Sequence, residues 1–231
     1  MSTSPLPSPT PGAPSERPGR RVASDSFRTR GGLALKRCVD VLGASVLLAA
    51  TSPLLVGAAA GVALTMGRPV LFRQDRAGLH GRPFALLKLR SMHDVGTGRV
   101  SDAERLTPFG RALRATSVDE LPGLVNVLRG ELSLVGPRPL PVRYLGRYTA
   151  EQARRHEVRP GVTGLAQVRG RNAVDWTERL ALDVEYVDRR STALDLGILL
   201  STVGVVLRRT GTSRPGEATM TEFRPETAAP R

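Results

Sequence analysis

An uncharged apolar segment runs from Val41 to Met66 (VLGASVLLAATSPLLVGAAAGVALTM). At about 1.5 Å per residue, a helix of that length could cross a hydrocarbon core of about 30 Å. Ser52 and Pro53 fall near its middle. Proline removes a backbone donor and clashes with the preceding turn, so the pattern predicts a break there. Cations flank both ends, Lys36 and Arg37 before it and Arg68, Arg73 and Arg76 after it. A spanning helix usually concentrates such residues on its cytoplasmic side. Two half-helices that enter and leave through one leaflet satisfy both observations. A re-entrant hairpin over residues 33–68 is therefore the expectation, ahead of a spanning helix or a buried soluble one.

Downstream the pattern changes. Pro69 to Met92 alternates apolar and polar residues around turn signals at Ala77-Gly78 and His80-Gly81, which predicts short strands over Val70–Gln74 and Phe84–Lys88. Leu121–Leu134 has roughly helical apolar spacing with Arg129 and Glu131 interposed, predicting an amphipathic helix at a membrane surface or, equally, in a soluble core. Leu196–Leu207 is uncharged but too short to span, and is expected as an interfacial or core helix. The fold class is α+β: a mostly helical monotopic membrane protein with a helix–break–helix hairpin, interfacial helices and a small β element. Residues 1–32 are rich in Pro, Ser and Arg without periodicity and are expected as a disordered tail. A catalytic domain is expected over 69–210 and a flexible tail over 211–231.

Charge narrows the choice of partners. The chain has 231 residues, 40% of them hydrophobic, and a formal net charge of +13, which favours anionic partners: nucleic acid, lipid headgroups or phosphorylated substrates. Aromatic residues make up only 4%, and no recognition helix, zinc finger or stacking platform is evident, so nucleic acid is disfavoured. The single cysteine, Cys38, excludes an internal disulfide and fits a reducing compartment. His80, His93 and His156 lack ligand spacing, and no Gly-rich loop ending in Lys-Ser or Lys-Thr is present, which argues against zinc and P-loop chemistry.

The densest chemistry lies between Ser117 and Pro139 (SVDELPGLVNVLRGELSLVGPRP). Asp119 and Glu120 are adjacent carboxylates, and Ser117 with Glu120 has the spacing of a capping box at a helix start. A first-turn position would favour the ionised form of Asp119, as a carboxylate nucleophile requires. Consecutive helical side chains diverge by about 100°, so the two acids are expected to divide roles. Cations surround them in sequence: Lys88 and Arg90 in KLR, Arg111 and Arg114 upstream, and Arg138 between Pro137 and Pro139. Arginine forks suit phosphate oxygens, and the flanking prolines restrict the backbone that presents Arg138. Val158 to Gly164 (VRPGVTG) reads as a rigid turn that carries a further cation, Arg159, and offers backbone donors. Asn172, Asp175 and Trp176 are further candidates for ligand contacts, with packing in the core or at the bilayer interface the alternative for Trp176.

Lys36-Arg37, Ser52-Pro53, QDRAG, KLRSM, SVDELPGLVNVLRGELSLVGPRPL, VRPGVTGLAQVRGRN and LDVEYV occur in this order. The series resembles the bacterial sugar transferases, the monotopic polyprenyl-phosphate sugar-1-phosphate transferases or phosphoglycosyl transferases, in their minimal catalytic form. The resemblance covers about residues 33–210. It implies an enzyme in which Asp119 attacks the β-phosphate of a UDP-sugar, releasing UMP. Polyprenyl (undecaprenyl) phosphate then takes the sugar phosphate, with Glu120 handling its proton. It further implies Mg²⁺ at Asp119, substrate contacts from Lys88, Arg114 and Arg138, and, less directly, from Arg159. The hairpin broken at Ser52 and Pro53 would seat the enzyme at the cytoplasmic face of the bacterial inner membrane, initiating an exopolysaccharide, capsule or glycoprotein glycan. The sugar and the oligomeric state stay open, a homodimer among the options. Leu165 stands where many members carry Trp, a departure expected to touch membrane seating or substrate fit. The competing reading is a membrane-tethered basic module without enzymatic activity.

Overall fold

The computed structural model describes residues 30–94, 101–169, 175–207 and 222–223. Its helices are α1 (Arg30–Met66), α2 (Asp102–Arg105), α3 (Pro108–Thr116), α4 (Gly123–Arg129), α5 (Ala150–Ala153), α6 (Leu165–Arg169), α7 (Trp176–Arg189) and α8 (Thr192–Leu207). Two small sheets accompany them. Strands β1 (Leu71–Ala77) and β2 (Pro83–Leu89) form an antiparallel hairpin, while β3 (Ser133–Val135) and β4 (Gly161–Thr163) pair in parallel. The mostly helical α+β class follows.

The apolar segment forms a single helical element that contains Pro53. The expected separation into two helices is not seen; the break is chemical. Proline cannot donate to the Ala49 carbonyl, and Ser52 Oγ takes that acceptor at 2.8 Å. Thr51 Oγ1 likewise back-bonds to Leu47 O at 2.7 Å, a pairing that tends to bend helices. On either side of this point the helix is anchored to the rest of the protein. Toward the N-terminus Arg37 donates to Val127 O and Leu128 O at 2.6 and 2.9 Å, and the buried Asp40 carboxylate accepts from Ser133 Oγ and Leu134 N, both at 3.0 Å. Toward the C-terminus Ala58 and Val62 pack with Leu89 and Leu113, and the Arg90 guanidinium donates to Met66 O and Gly67 O. Between the anchors Val46, Leu47, Leu54 and Val56 are exposed.

The main core joins Ala44, Leu124, Val127, Leu132, Leu134, Leu165, Tyr186 and Ile198. Its composition corrects two expectations. The helix expected over Leu121–Leu134 is shorter, ends at Gly130 in the left-handed region (φ 82°), and buries Leu124 and Val127 in the soluble core. Leu165 is buried in the same core, so its side chain faces neither bilayer nor substrate. In α8 Ile198 packs inward while Leu196, Leu200 and Val203 stay exposed, leaving an apolar outer face.

The strands run further than predicted, through Ala77 and from Pro83, because the turn between them is tight. His80 and Gly81 adopt φ values of 54° and 73°, which reverses the chain where the His-Gly signal stood. The register pairs Arg76 with Phe84 and Phe72 with Lys88. Directly paired residues and those two apart share a face, so Arg76 and Lys88 lie on the same side of the hairpin. Of the expected tails, residues 1–29 lie outside the described residues, Arg30 to Gly32 belong to α1, and of 211–231 only Glu222 and Phe223 are described. Phe223 is buried against Tyr144, Tyr148 and Trp176.

Candidate active site

The acidic pair sits on a single 3₁₀ turn, Val118–Glu120, between α3 and α4. The expected capping box is absent. Ser117 lies in the left-handed region (φ 57°, ψ 17°), makes no side-chain cap, and instead closes α3, its N–H donating to Arg114 O. A non-glycine residue in that region carries local strain, and here it buys the sharp turn that directs Asp119 inward and leaves Glu120 half-exposed.

The two carboxyls consequently diverge. Asp119 is 5% exposed, and burial followed by the Glu120 charge raises its pKa, against the pull of Lys88, Arg114 and Arg138. The expectation that a helix N-terminus would favour its ionised form is not met: the neighbouring cations oppose burial and the Glu120 charge, and the net shift is upward. At Glu120 burial also pushes upward, but the Arg138 charge and hydrogen bond, with Lys88 and Arg76, outweigh it and the pKa falls. Arg138 Nη2 meets Glu120 Oε1 at 2.6 Å.

Two glycine-proline loops hold Arg138. Gly161 N–H donates to Pro137 O and Gly136 N–H to Thr163 O, both at 2.9 Å. A Cβ on Gly161 would lie 2.1 Å from Gly136 N, so only glycine permits this approach of backbone to backbone. Of the VRPGVTG donors, expected to face a ligand, the Gly161 N–H is thus spent on the GPRP loop. Behind Arg138, Arg155 Nη2 donates to the Arg138 carbonyl at 2.7 Å and to Asp183 Oδ2 at 2.7 Å. Asn126, fully buried on α4, fixes β2 beside Lys88: its Oδ1 accepts from Leu87 N at 3.0 Å and its Nδ2 donates to Ala85 O at 2.9 Å.

A cavity with an empty volume of about 470 Å³, partly open to solvent, lies against these groups. Arg76, Lys88, Glu120 and Arg138 supply its polar wall, and Leu86, Leu132 and Val162 an apolar one. Burial, partly offset by Asp119 and Glu120, lowers the Lys88 pKa, while Glu120 raises that of Arg138. Arg114 is fixed by a 2.9 Å bond from Nε to Ser91 Oγ, and its charge acts on both Asp119 and Lys88.

Asp119, Glu120, Lys88, Arg114 and Arg138 thus converge. Arg159 does not join them: its Nε donates to Gly130 O at 2.9 Å, at the C-terminus of α4. Arg90 is committed to the end of α1. Asp175 caps α7 by accepting from Glu178 N at 2.7 Å, and Trp176 packs edge-on to Tyr144, the core alternative foreseen for it. Asn172 lies outside the described residues. Sequence reasoning missed Arg76, Asn126 and the Arg155–Asp183 pair. Arg76 stood within QDRAG but was counted only as a membrane-flanking charge, and nothing in the spacing marks the others.

Known proteins carry the same organisation of sequence. The uncharacterised sugar transferase EpsL of Bacillus subtilis is 50% identical over 194 residues, spanning 83% of this chain and 96% of that protein. The UDP-glucose:undecaprenyl-phosphate glucose-1-phosphate transferase of Caulobacter vibrioides is 47% identical over 186 residues, 74% of this chain and 69% of that one. The enzyme of the same name from Escherichia coli is 40% identical across 73% of this chain and 39% of its own length. The family profile for bacterial sugar transferases matches residues 32–209, which include both halves of the long helix and every group at the cavity, and the chain belongs to that family.

Proposed function

We propose that this chain is a phosphoglycosyl transferase that moves a sugar-1-phosphate from a UDP-sugar to polyprenyl phosphate through a covalent intermediate on Asp119. The observation that carries this reading is one buried carboxylate within the electrostatic reach of Lys88, Arg114 and Arg138, adjacent in the chain to Glu120, which lines an open cavity with Lys88 and Arg138. The cations that oppose the upward shift at Asp119 also neutralise the phosphate it must approach. An Asp119 oxygen attacks the β-phosphorus, the bond from that phosphorus to the bridging oxygen breaks, and UMP departs with that oxygen. A phosphate oxygen of the polyprenyl acceptor then attacks the same phosphorus. The aspartyl bond breaks, giving polyprenyl-diphosphate sugar and a free carboxylate, so one difficult displacement becomes two easier ones.

Glu120 is held ionised by Arg138, which makes it a weak proton acceptor and a strong anchor. Its main service in this scheme is to aim the Arg138 fork into the cavity, with any proton from the acceptor held only briefly. Mg²⁺ fits the donor set in a limited way. Among the described residues no three acidic, histidine or cysteine side chains cluster, but this ion commonly uses one or two carboxylates with substrate phosphates and water. Asp119 would hold it, and the ion would supply neutralisation of phosphate charge.

The membrane seat in this reading is a re-entrant hairpin at the cytoplasmic face, made by α1 bending at Pro53 without losing its helical continuity. A straight helix of 37 residues would be about 55 Å long, well beyond a hydrocarbon core of about 30 Å. Both flanks of Pro53 are tied to the same body while the middle is exposed and apolar, as expected of a hairpin dipping into one leaflet. The exposed face of α8 would lie along the same surface. Release of UMP from a panel of UDP-sugars by membrane-embedded protein, with and without undecaprenyl phosphate and Mg²⁺, tests the reaction. Acceptor- and metal-dependent release with one sugar is expected; silence from folded protein across the panel would overturn it.

A further inference from the structure

Arg76 lines the cavity near Arg138, with no role assigned by the scheme above. It projects from β1 on the same face of the hairpin as Lys88, and its strand is bridged to Pro141 just beyond the GPRP loop. The fork is only partly used. Nη2 donates to Gln74 Oε1 at 2.5 Å and Nη1 reaches Pro139 O at a long 3.3 Å. Nε is buried with no hydrogen-bond partner. A buried guanidinium N–H without an acceptor is costly, and because the same side chain lines the cavity, a small reorientation of the fork would bring it to an acceptor there.

The charges point the same way. Burial, then the nearby Arg138, lower the Arg76 pKa to about 10, with Glu120 opposing and Arg143 adding further repulsion. Two guanidiniums share one wall with a single carboxylate, Glu120, which is already bonded to Arg138. Counting Arg76, Lys88, Arg114 and Arg138 against Asp119 and Glu120 leaves the group with two positive charges in excess. A nucleoside diphosphate ester carries two negative charges, enough to balance the site.

We infer that Arg76 is a donor-binding residue that grips the diphosphate of the nucleotide-sugar together with Lys88 and Arg138, the other two cations that line the cavity. This rests on the transferase reading. Gln74 holds Nη2, and the long contact of Nη1 to Pro139 O makes that arm the one best able to turn to phosphate oxygens.

The test uses full-length protein in nanodiscs and two probes, UDP for equilibrium binding and the preferred UDP-sugar for steady-state kinetics. Arg76→Gln is expected to weaken UDP binding and raise the donor KM by about tenfold or more, the range for a hydrogen bond to a charged group. The KM for undecaprenyl phosphate should move far less. Arg76→Lys, which keeps the charge but loses the fork, should recover part of the donor affinity. Arg189→Gln, a cation paired with Glu185 on α7, should match wild type and controls for net charge. Melting temperature checks that the Arg76 variants fold. If wild type binds UDP and turns over while both folded Arg76 variants keep its donor KM and UDP affinity, the inference is overturned and the transferase reading stands. Equal losses in the Lys and Gln variants, with donor and acceptor KM unchanged and only kcat reduced, would also overturn it by assigning Arg76 to support of Pro139. Failure of wild type to bind UDP or release UMP would remove both.

Discussion

Two arginine–carboxylate pairs of nearly equal length meet at the same loop and do different things. Arg138 and Glu120 pair at 2.6 Å with side chains 41% and 37% exposed, at the cavity wall. Arg155 and Asp183 pair at 2.7 Å with both side chains 2% exposed, behind that wall, where Arg155 also holds the Arg138 carbonyl. At Glu120 the arginine overcomes burial and the pKa falls; at Asp183 burial prevails over Arg155 and the pKa rises. The same ion pair is thus adjustable where water reaches it and a fixed support where water does not.

If the wetter pair serves chemistry, changing it should cost activity and little stability. The largest loss belongs to Asp119, which feels the charges of both Glu120 and Arg138. Asp119→Asn is expected to lower UMP release by about 10⁴-fold or more, as for removal of a nucleophile elsewhere, while circular dichroism and membrane association stay native. Glu120→Gln should cost about tenfold or more in kcat, the loss expected when the charge-assisted bond that aims Arg138 is weakened. Its unfolding free energy should fall by no more than about 1 kcal/mol, because the pair is more than one-third exposed.

The dry pair should behave in the opposite way. Arg155→Met leaves Asp183 buried without its partner and is expected to destabilise by about 3 to 5 kcal/mol in chemical denaturation, with activity lost through unfolding. Adding Asp183→Leu should recover much of that loss, since a well-packed apolar replacement of a buried pair is often neutral. A stability cost at Glu120→Gln equal to that at Arg155→Met would erase the distinction.

The pH dependence is a subtler consequence. Asp119 must be ionised to attack, and its raised pKa places the acid limb of kcat at higher pH than an ordinary aspartate would. Lys88, with its pKa lowered chiefly by burial, sets an alkaline limb below the ordinary lysine range, and Lys88→Arg should move that limb upward. The smallest effect is on stability. A carboxyl with a raised folded pKa contributes stability that is complete below its unfolded pKa and is lost as pH rises through the folded value. Asp119→Asn should therefore melt higher than wild type at pH 8, with the difference shrinking on acidification.

Much of this site was legible before any coordinates. The acidic pair, Lys88, Arg114 and Arg138 come together because short strands and turns carry clear local signals, and proline and glycine fix the loops that present Arg138. What escaped was decided by long-range contacts. Ser117 has capping-box spacing, yet the chain must turn there to bury Asp119, and the left-handed conformation prevails. Arg159 resembles a phosphate ligand in sequence but is taken by the carbonyl of Gly130, a partner 29 positions away. Asn126 looks like one polar residue on an amphipathic helix, and only the packing of α4 against β2 makes it the brace behind Lys88. The Ser52-Pro53 signal foretold a local interruption of hydrogen bonding, while the continuity of α1 through it reflects Ser52 taking the Ala49 carbonyl.

The most direct test of Asp119 as the attacking group is intact-protein mass spectrometry after rapid mixing with the UDP-sugar in the absence of polyprenyl phosphate. Wild type should gain the mass of one sugar phosphate, map it to the peptide containing Asp119, and lose it when undecaprenyl phosphate is added, while Asp119→Asn gains nothing. Full turnover with no adduct on wild type at any time, or an adduct that forms equally on Asp119→Asn, would contradict the account.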